Sequence, residues 1–192
     1  MNKLYGIIVF GTNGSGKTTL GRELARFLNF NHIDHEKYAF NESEIPYTNP
    51  RSGEECIDMM LADIEKHGSF VISAVTGDFG KKIVQLYKLA VFMSVPHELR
   101  IERIKQREIE RYGNRVLEGG DMYEQTQKFY DFIATRPLAR IEKWAESLIC
   151  PIIHMDGTND YRQATADIAN RFYMEIGQLC VQEKGAQFGM DN

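Results

Sequence analysis

Leu4-Tyr5-Gly6-Ile7-Ile8-Val9-Phe10-Gly11-Thr12-Asn13-Gly14-Ser15-Gly16-Lys17-Thr18 is the stretch that decides how this chain folds. Leu4 to Phe10 is a continuous apolar run, the signature of a strand buried on both faces. From Gly11 the composition changes abruptly. Gly11 and Gly16 enclose four residues and are followed by Lys17 and Thr18, and Thr19-Leu20-Gly21-Arg22-Glu23-Leu24-Ala25 then opens a helix. Strand, glycine-rich turn and helix together are the setting in which this spacing cradles phosphate. The glycines let backbone N–H groups turn inward without Cβ clashes, and the helix N-terminus adds a partial positive charge. Gly11, Asn13, Gly14, Ser15, Gly16, Lys17, Thr18 and Thr19 are therefore the candidate nucleotide-binding residues. Lys17 is placed to reach the β- and γ-phosphates, and the Thr18 hydroxyl to ligate Mg²⁺. The pattern implies a bound nucleoside triphosphate.

Working outward, four more apolar runs predict buried strands: His32–Ile33, Phe70–Ser73, Leu89–Ser94 and Ile152–Met155. Segments of helical spacing separate them, which predicts βαβ units and a five-stranded parallel sheet with helices on both faces, an α/β fold. The helix from Thr18 carries Leu20, Leu24, Phe27 and Leu28 on one stripe. A helix over 54–67 carries Ile57, Met60, Leu61 and Ile64, with the Met59-Met60 pair read as core. The final helix, from about Asp160 as its cap, repeats Ala164, Ile168, Phe172 and Ile176 at intervals of four. Residues 1–181 are expected to form one domain, and the polar tail 182–192 to fray. Two stretches break the βα rhythm: Tyr38 to Gly53, with Pro46 and Pro50, and Tyr112 to Thr135, with Gly113, Gly119 and Gly120. Both read as long loops, which in a compact domain are functional or mobile. The first is the candidate acceptor flap, the second the candidate lid.

At 192 residues, with 43% hydrophobic and 26% charged content, the composition is that of a globular protein of one α/β domain. A formal net charge of −4 argues against nucleic acid as the main partner. Cys56, Cys150 and Cys180 are too few and too scattered for a disulfide framework or a zinc knuckle, and suit a reducing compartment. The first apolar run leads straight into the glycine-rich turn, so it reads as a core strand and not as a signal peptide. No apolar stretch approaches membrane-spanning length. A cytoplasmic protein with no membrane partner is expected, as monomer or homodimer.

In the order of its motifs the chain resembles the small P-loop kinases that include adenylate kinase, shikimate kinase and gluconate kinase. Gly11–Thr18 matches their phosphate loop. Phe30-Asn31-His32-Ile33-Asp34-His35-Glu36 resembles their second strand ending in acid-x-acid. Val91-Phe92-Met93-Ser94-Val95-Pro96 is similar to the strand before their arginine-bearing helix. Asp156-Gly157-Thr158 resembles the turn that lies near adenine. The resemblance implies ATP and Mg²⁺ as cofactors and transfer of the γ-phosphoryl group to a small-molecule acceptor. A nucleoside monophosphate as acceptor, or an ATPase or switch acting on a protein partner, are the alternatives.

On that resemblance Asp34 supports Mg²⁺ and Glu36 contacts or deprotonates the acceptor; ordinary helix capping by Asp34 and a polar loop at Glu36 remain open. Arg103 and Arg107, four residues apart on one helical face, resemble the pair in which one guanidinium lies near the base and the other meets phosphate. Arg111, Arg115 and Arg140 read equally as solvated surface. Arg136 resembles an arginine closing on the phosphates from the far side of the lid. Arg51 stands where such kinases hold an acceptor anion. The loop Thr76-Gly77-Asp78-Phe79-Gly80 is expected to offer backbone N–H groups and the Asp78 carboxylate to the acceptor. The third strand, Val71-Ile72-Ser73-Ala74, lacks the Asp that adenylate kinases often carry there, which shifts metal support toward Asp34. His32 and His35 have no further ligands at metal spacing and read as hydrogen-bonding residues.

Overall fold

Alternation along the first strand organises both layers of the molecule. In β1 (Gly6–Gly11), Ile7 and Val9 face one side of the sheet and Ile8 and Phe10 the other, and all four are fully buried. The computed structural model describes residues 3–188, with side chains through residue 177, so Cys180 and the side chains of the tail lie outside the described residues.

In chain order β1 is followed by α1 (Lys17–Leu28), β2 (Asn31–Asp34), α2 (His35–Ala39), α3 (Gly53–His67) and β3 (Phe70–Ala74). Then come α4 (Gly80–Val84), β4 (Tyr87–Ser94), α5 (His97–Tyr112), a 3₁₀ turn (Gly113–Val116), α6 (Tyr123–Thr135), α7 (Ala139–Ala145), β5 (Ile152–Asp156) and α8 (Tyr161–Phe188). The five strands are all parallel, in the order β2-β3-β1-β4-β5. On one face Leu20 and Leu24 of α1 and Ile168 and Phe172 of α8 cover Ile7 and Val9. On the other, Met60 and Ile64 of α3, Ile83 of α4 and Ile141 of α7 cover Ile8 and Phe10. This is the expected five-stranded α/β architecture.

Local signals explain several ends. A capping box starts α3: Ser52 Oγ accepts from the Glu55 N–H at 3.2 Å, and a Glu55 carboxylate oxygen accepts from the Ser52 N–H at 3.0 Å. Asp160 Oδ1 accepts from the Arg162 N–H at 2.8 Å, as expected of the cap of α8.

Three expectations are corrected. Phe27 is 58% exposed and Met59 41% exposed, because each lies beside the apolar stripe of its helix and not on it. The segment from Tyr112 to Thr135 is not a long loop: its glycines bound a short 3₁₀ turn, and α6 occupies the rest, burying Thr126 and Ile133. The flap from Tyr38 to Gly53 begins inside α2 and is pinned by an antiparallel bridge between Phe40 and Pro50.

The tightest packing lies at Gly21. A Cβ there would stand 2.1 Å from Ser73 Oγ and 3.1 Å from His32 Nε2, so only glycine lets α1 approach β3 this closely. His32 and Ser73 are themselves bonded at 3.0 Å, and burial first, then Arg22 and Lys37, push His32 down to about 4. Gly21→Ala should therefore destabilise the fold by about 1–3 kcal/mol in urea unfolding, by forcing the helix from the sheet. An unchanged midpoint would show that the approach is slack.

Candidate active site

Parallel register gathers the carboxyl ends of β1, β2 and β3, where Asp34 pairs with Ser73 and Ser73 with Val9. Sheets of this type bind ligands at that edge. The glycine-rich loop turns there. Gly14 has φ +79°, and a Cβ on it would lie 2.6 Å from the Arg100 carbonyl oxygen, so conformation and space both exclude a side chain. The Lys17 ammonium donates back to the Thr12 carbonyl at 2.6 Å, and Ser73 Oγ donates to the Lys17 carbonyl at 3.1 Å. These bonds brace the loop against α1 and β3.

The loop forms one wall of a cavity of about 500 Å³, to which Asn13, Gly14, Gly16, Lys17, Thr18 and Thr19 contribute. Facing them are Asp34, Glu36, Arg103 and Arg107, and the rest of the wall includes Arg22, His35, Ser73 and Arg111. Four arginines and two lysines thus meet two carboxylates around one concavity, in a chain whose net charge is −4. Burial lowers the Lys17 ammonium to about 8, with Arg107 and Arg136 adding to the shift and Glu36 and Asp34 opposing it. A site of this charge, with a costly buried cation, is suited to a polyanion.

The arginines divide their work. Arg103 Nη1 donates to the Gly157 carbonyl at 3.0 Å, joining α5 to the turn after β5. In that turn Asp156 Oδ1 accepts from the Thr158 N–H at 2.9 Å and from its hydroxyl at 2.7 Å, which holds the Asp156 carboxyl below its usual range. Asp156, Gly157 and Thr158 flank the phosphate cavity without lining it. Arg107 donates through Nε and Nη2 to Glu108 Oε1 at 3.0 and 2.8 Å. Burial disfavours the Arg107 charge, but buried Glu108 outweighs it and raises its pKa. Asn13 is held twice: Arg100 Nη1 donates to its carbonyl and Arg136 Nη1 to its side-chain oxygen, each at 3.3 Å.

A second cavity of about 540 Å³ opens from the first. Asn13, His35, Glu36, Val75 and Arg107 line both and mark the junction. Beyond it the walls include the rings of Phe40, Tyr47, Phe79, Phe129 and Phe132, and Arg136 lines this side. Asp34 occupies the cap position of α2 yet makes no capping bond, which leaves its carboxylate to the first cavity.

Two expected acceptor contacts stand elsewhere. Arg51 lines neither cavity: its Nη1 donates to the carbonyls of Lys37, Tyr38 and Phe40 at 3.1, 2.9 and 2.6 Å, making it a strut of the flap. Gly77 is turned inward, its carbonyl accepting from Tyr87 Oη and from the Phe79 N–H, each at 3.0 Å, while Asp78 is exposed. Thr76 and Phe79 take their place on the wall. Sequence reasoning missed Arg22, Ser73 and the aromatic residues of α6, Phe129 and Phe132. Arg22 was detectable in principle, four residues after Thr18 on the same face of α1.

No group of three or more His, Cys, Asp or Glu could hold a metal among the described residues. The donors present, the Thr18 hydroxyl and Asp34, fit Mg²⁺, which keeps several waters and takes further ligands from phosphates. They do not fit a metal that requires an all-protein cage.

The sequence model of the AAA domain family matches residues 7–126. The chain belongs to that family. This AAA domain is 29% identical over 158 residues to the uncharacterized protein YqaC of Bacillus subtilis (strain 168), covering 78% of this chain and 87% of YqaC. Among solved structures, a candidate kinase of Chloroflexus aurantiacus superposes with a TM-score of 0.61 at 17% identity, over 91% of this chain and 99% of that one. Shikimate kinase from Bacteroides thetaiotaomicron gives 0.51 at 18%, over 88% and 99%. Shikimate kinase from Acinetobacter baumannii, in complex with shikimate, gives 0.50 at 19%, over 89% and 94%. At these identities the likeness is one of fold, and the fold is that of the P-loop kinase group.

The depressed Lys17 makes a signed prediction. Between about pH 8 and 10.5 free Lys17 is largely neutral, whereas a bound triphosphate favours its ammonium form. ATP binding near pH 9 should therefore take up protons, seen as a dependence of calorimetric enthalpy on buffer ionisation, and uptake should shrink near pH 7. Lys17→Ala should abolish both this uptake and tight ATP binding while leaving the fold intact. Proton uptake equal in wild type and variant would remove Lys17 from the phosphate site.

Proposed function

We propose that this AAA domain is a Mg²⁺-dependent kinase of the cytoplasm that transfers the γ-phosphoryl group of ATP to a hydroxyl of a small molecule. The observation that carries this reading is the continuity of two cavities, one cationic and built on the glycine-rich loop, the other largely apolar, meeting at Glu36 and Arg107. A simple nucleotide switch needs only the first.

ATP with Mg²⁺ supplies the activated phosphoryl group. Lys17 and the loop N–H groups would hold its β- and γ-phosphates, while Thr18 and Asp34 would hold the metal together with water. Glu36, at the junction, accepts a hydrogen bond from the acceptor hydroxyl and takes its proton as the new O–P bond forms. The bond from the γ-phosphorus to the β,γ-bridging oxygen breaks, and ADP leaves. Arg107 and Arg136 stabilise charge spread over the transferring group, so catalysis rests on positioning and electrostatics more than on a strong base. Water exclusion falls to contacts between flap and lid. Arg115 binds Asp121 and donates to the Glu44 carbonyl at 3.3 Å, Gln125 donates to the Pro46 carbonyl at 3.2 Å, and Arg111 reaches Tyr47 Oη at 3.4 Å.

Arg107→Ala should lower kcat by about a hundredfold while changing ATP affinity only a few-fold, because its charge matters most during transfer. Equal losses in both would make Arg107 a ground-state ligand. Asp34→Asn should raise the Mg²⁺ concentration needed for half-maximal turnover. ATP hydrolysis that no small molecule accelerates would count against the kinase reading itself.

A further inference from the structure

We propose that the phosphoryl acceptor is an alcohol borne on a flat, largely apolar ring system, its hydroxyl at Glu36 and its ring in the second cavity. This rests on the kinase reading above and extends it to the class of substrate.

The walls of that cavity come from three separate parts of the chain. Phe40 and Tyr47 belong to the flap, Phe79 to the loop after β3, and Phe129 and Phe132 to α6. Phe40 and Tyr47 meet edge to face at 5.4 Å, and His35 stacks on Phe79 at 4.8 Å, which carries the aromatic surface up to the junction. Two of these rings stand outside the core, Phe132 at 55% exposed and Tyr47 at 38%, whereas Phe79 belongs to the core on that face of the sheet. Concave, water-facing aromatic surface of this kind marks a binding site for an apolar body.

The lid helix makes the point independently. Along α6 and its cap, Gln125, Phe129, Phe132 and Arg136 recur at intervals of four, three and four, so they share one face and line the cavity. A different stripe, Met122, Thr126 and Ile133, is buried. A surface helix requires one apolar face to dock on its domain. The aromatic residues of the second face have no packing duty of that kind, and a bound ring would cover them.

The polar groups define the other end of the ligand. Of the cations near the chamber, Arg107 is bonded to Glu108, Arg136 to Asn13, and Arg51 to flap carbonyls; Lys128 is exposed. Arg107 and Arg136 are assigned above to the transferring phosphoryl group and Arg51 to the flap, which leaves Lys128 as the further cation of the chamber wall. A polyhydroxy acid placed against Phe40, Phe79, Phe129 and Phe132 would find no hydrogen-bond partner on those rings, leaving Thr76, Gln125, Thr126 and Lys128 beside them to answer its hydroxyls. A single hydroxyl reaching the junction meets Glu36, which no hydrogen bond or ion pair occupies among the described residues. The reaction then converts ring-borne alcohol and ATP into the phosphate monoester and ADP, the hydroxyl proton passing to Glu36.

The test measures acceptor-dependent ADP formation by the full chain with ATP and Mg²⁺. Aryl-substituted methanols and hydroxymethyl-bearing heteroaromatic rings are compared with shikimate, gluconate and monosaccharides, and a fluorescent ATP analogue reports nucleotide affinity in parallel. At least one ring-borne alcohol should raise turnover, and the polyhydroxy compounds should not. Phe132→Ala should raise the KM of that acceptor about three- to tenfold with ATP-analogue affinity unchanged, and Phe132→Leu should recover part of the loss. Because Phe132 is largely exposed, the substitution leaves the core intact, which the unchanged analogue affinity verifies. Turnover of a polyhydroxy acid, insensitive to Phe132→Ala, would overturn this proposal and leave the kinase reading standing. So would the failure of every ring-borne alcohol to raise turnover while the ATP analogue still binds. Loss of analogue binding in wild type would instead sink the kinase reading beneath it.

Discussion

A buried ammonium group whose one bonded partner is a carbonyl of its own loop is the constraint on which this structure turns. Lys17 donates to Thr12, is largely cut off from water, and is held near the point where it loses its proton. Such a group is expensive to keep. Its position follows from the strand before it, since β1 is buried on both faces and ends where the glycine loop must turn. Around that point the sheet register sets Asp34 and Ser73, and α5 sets Arg103 and Arg107. The surrounding charges then pull in both directions: carboxylates favour the charged lysine, while the arginines oppose it. A polyanion entering the cavity reverses the arginine contribution, because the same guanidinium groups then neutralise it and no longer merely crowd Lys17. Free energy stored as unfavourable cation density is thereby turned into affinity.

What was legible in the sequence was what depends on neighbours along the chain. The strand–loop–helix unit, the Asp160 cap and the parallel sheet of an α/β fold all rest on patterns a few residues long. The acid-x-acid pair after β2 was placed at the cavity for the same reason, since a strand's end and the next turn are contiguous. Misreadings began where the partner was remote or the signal ambiguous. Three glycines around 113–120 suggested a loop, yet Arg115 closes that segment on Asp121 at 2.7 Å and a helix of two apolar stripes follows. Arg51 was expected to meet an anion because of its type and place, but a flap that folds back on itself supplies three carbonyls instead. The flap aromatics Phe40 and Tyr47 could be read as pocket residues, but the chamber as a whole could not, because its walls lie at positions 40, 79 and 132 and only the fold brings them together.

The two cavities also explain why so large a share of the site's bonds joins remote segments. On the kinase reading, a phosphoryl donor must be gripped before water is excluded, and water must be excluded before the acceptor reacts. Contacts that join flap to lid, such as the exposed one of Arg115 with Glu44 and the half-buried one of Gln125 with Pro46, are polar and individually weak. They can therefore break for substrate to enter and form again over it, which a buried apolar interface between the same segments would resist.

Asn13 is where these demands converge. It sits inside the phosphate loop, lines both cavities, and is bonded at its carbonyl by Arg100 of α5 and at its side chain by Arg136 beyond the lid. Arg136 in turn lies over the Phe132 ring at 5.4 Å, on the wall of the apolar chamber. One guanidinium thus touches both the phosphate loop and the aromatic face of the lid. The residue that lines both cavities is held from two sides, by α5 and by the segment after α6. That geometry brings the phosphate loop and the wall of the apolar chamber together at one residue.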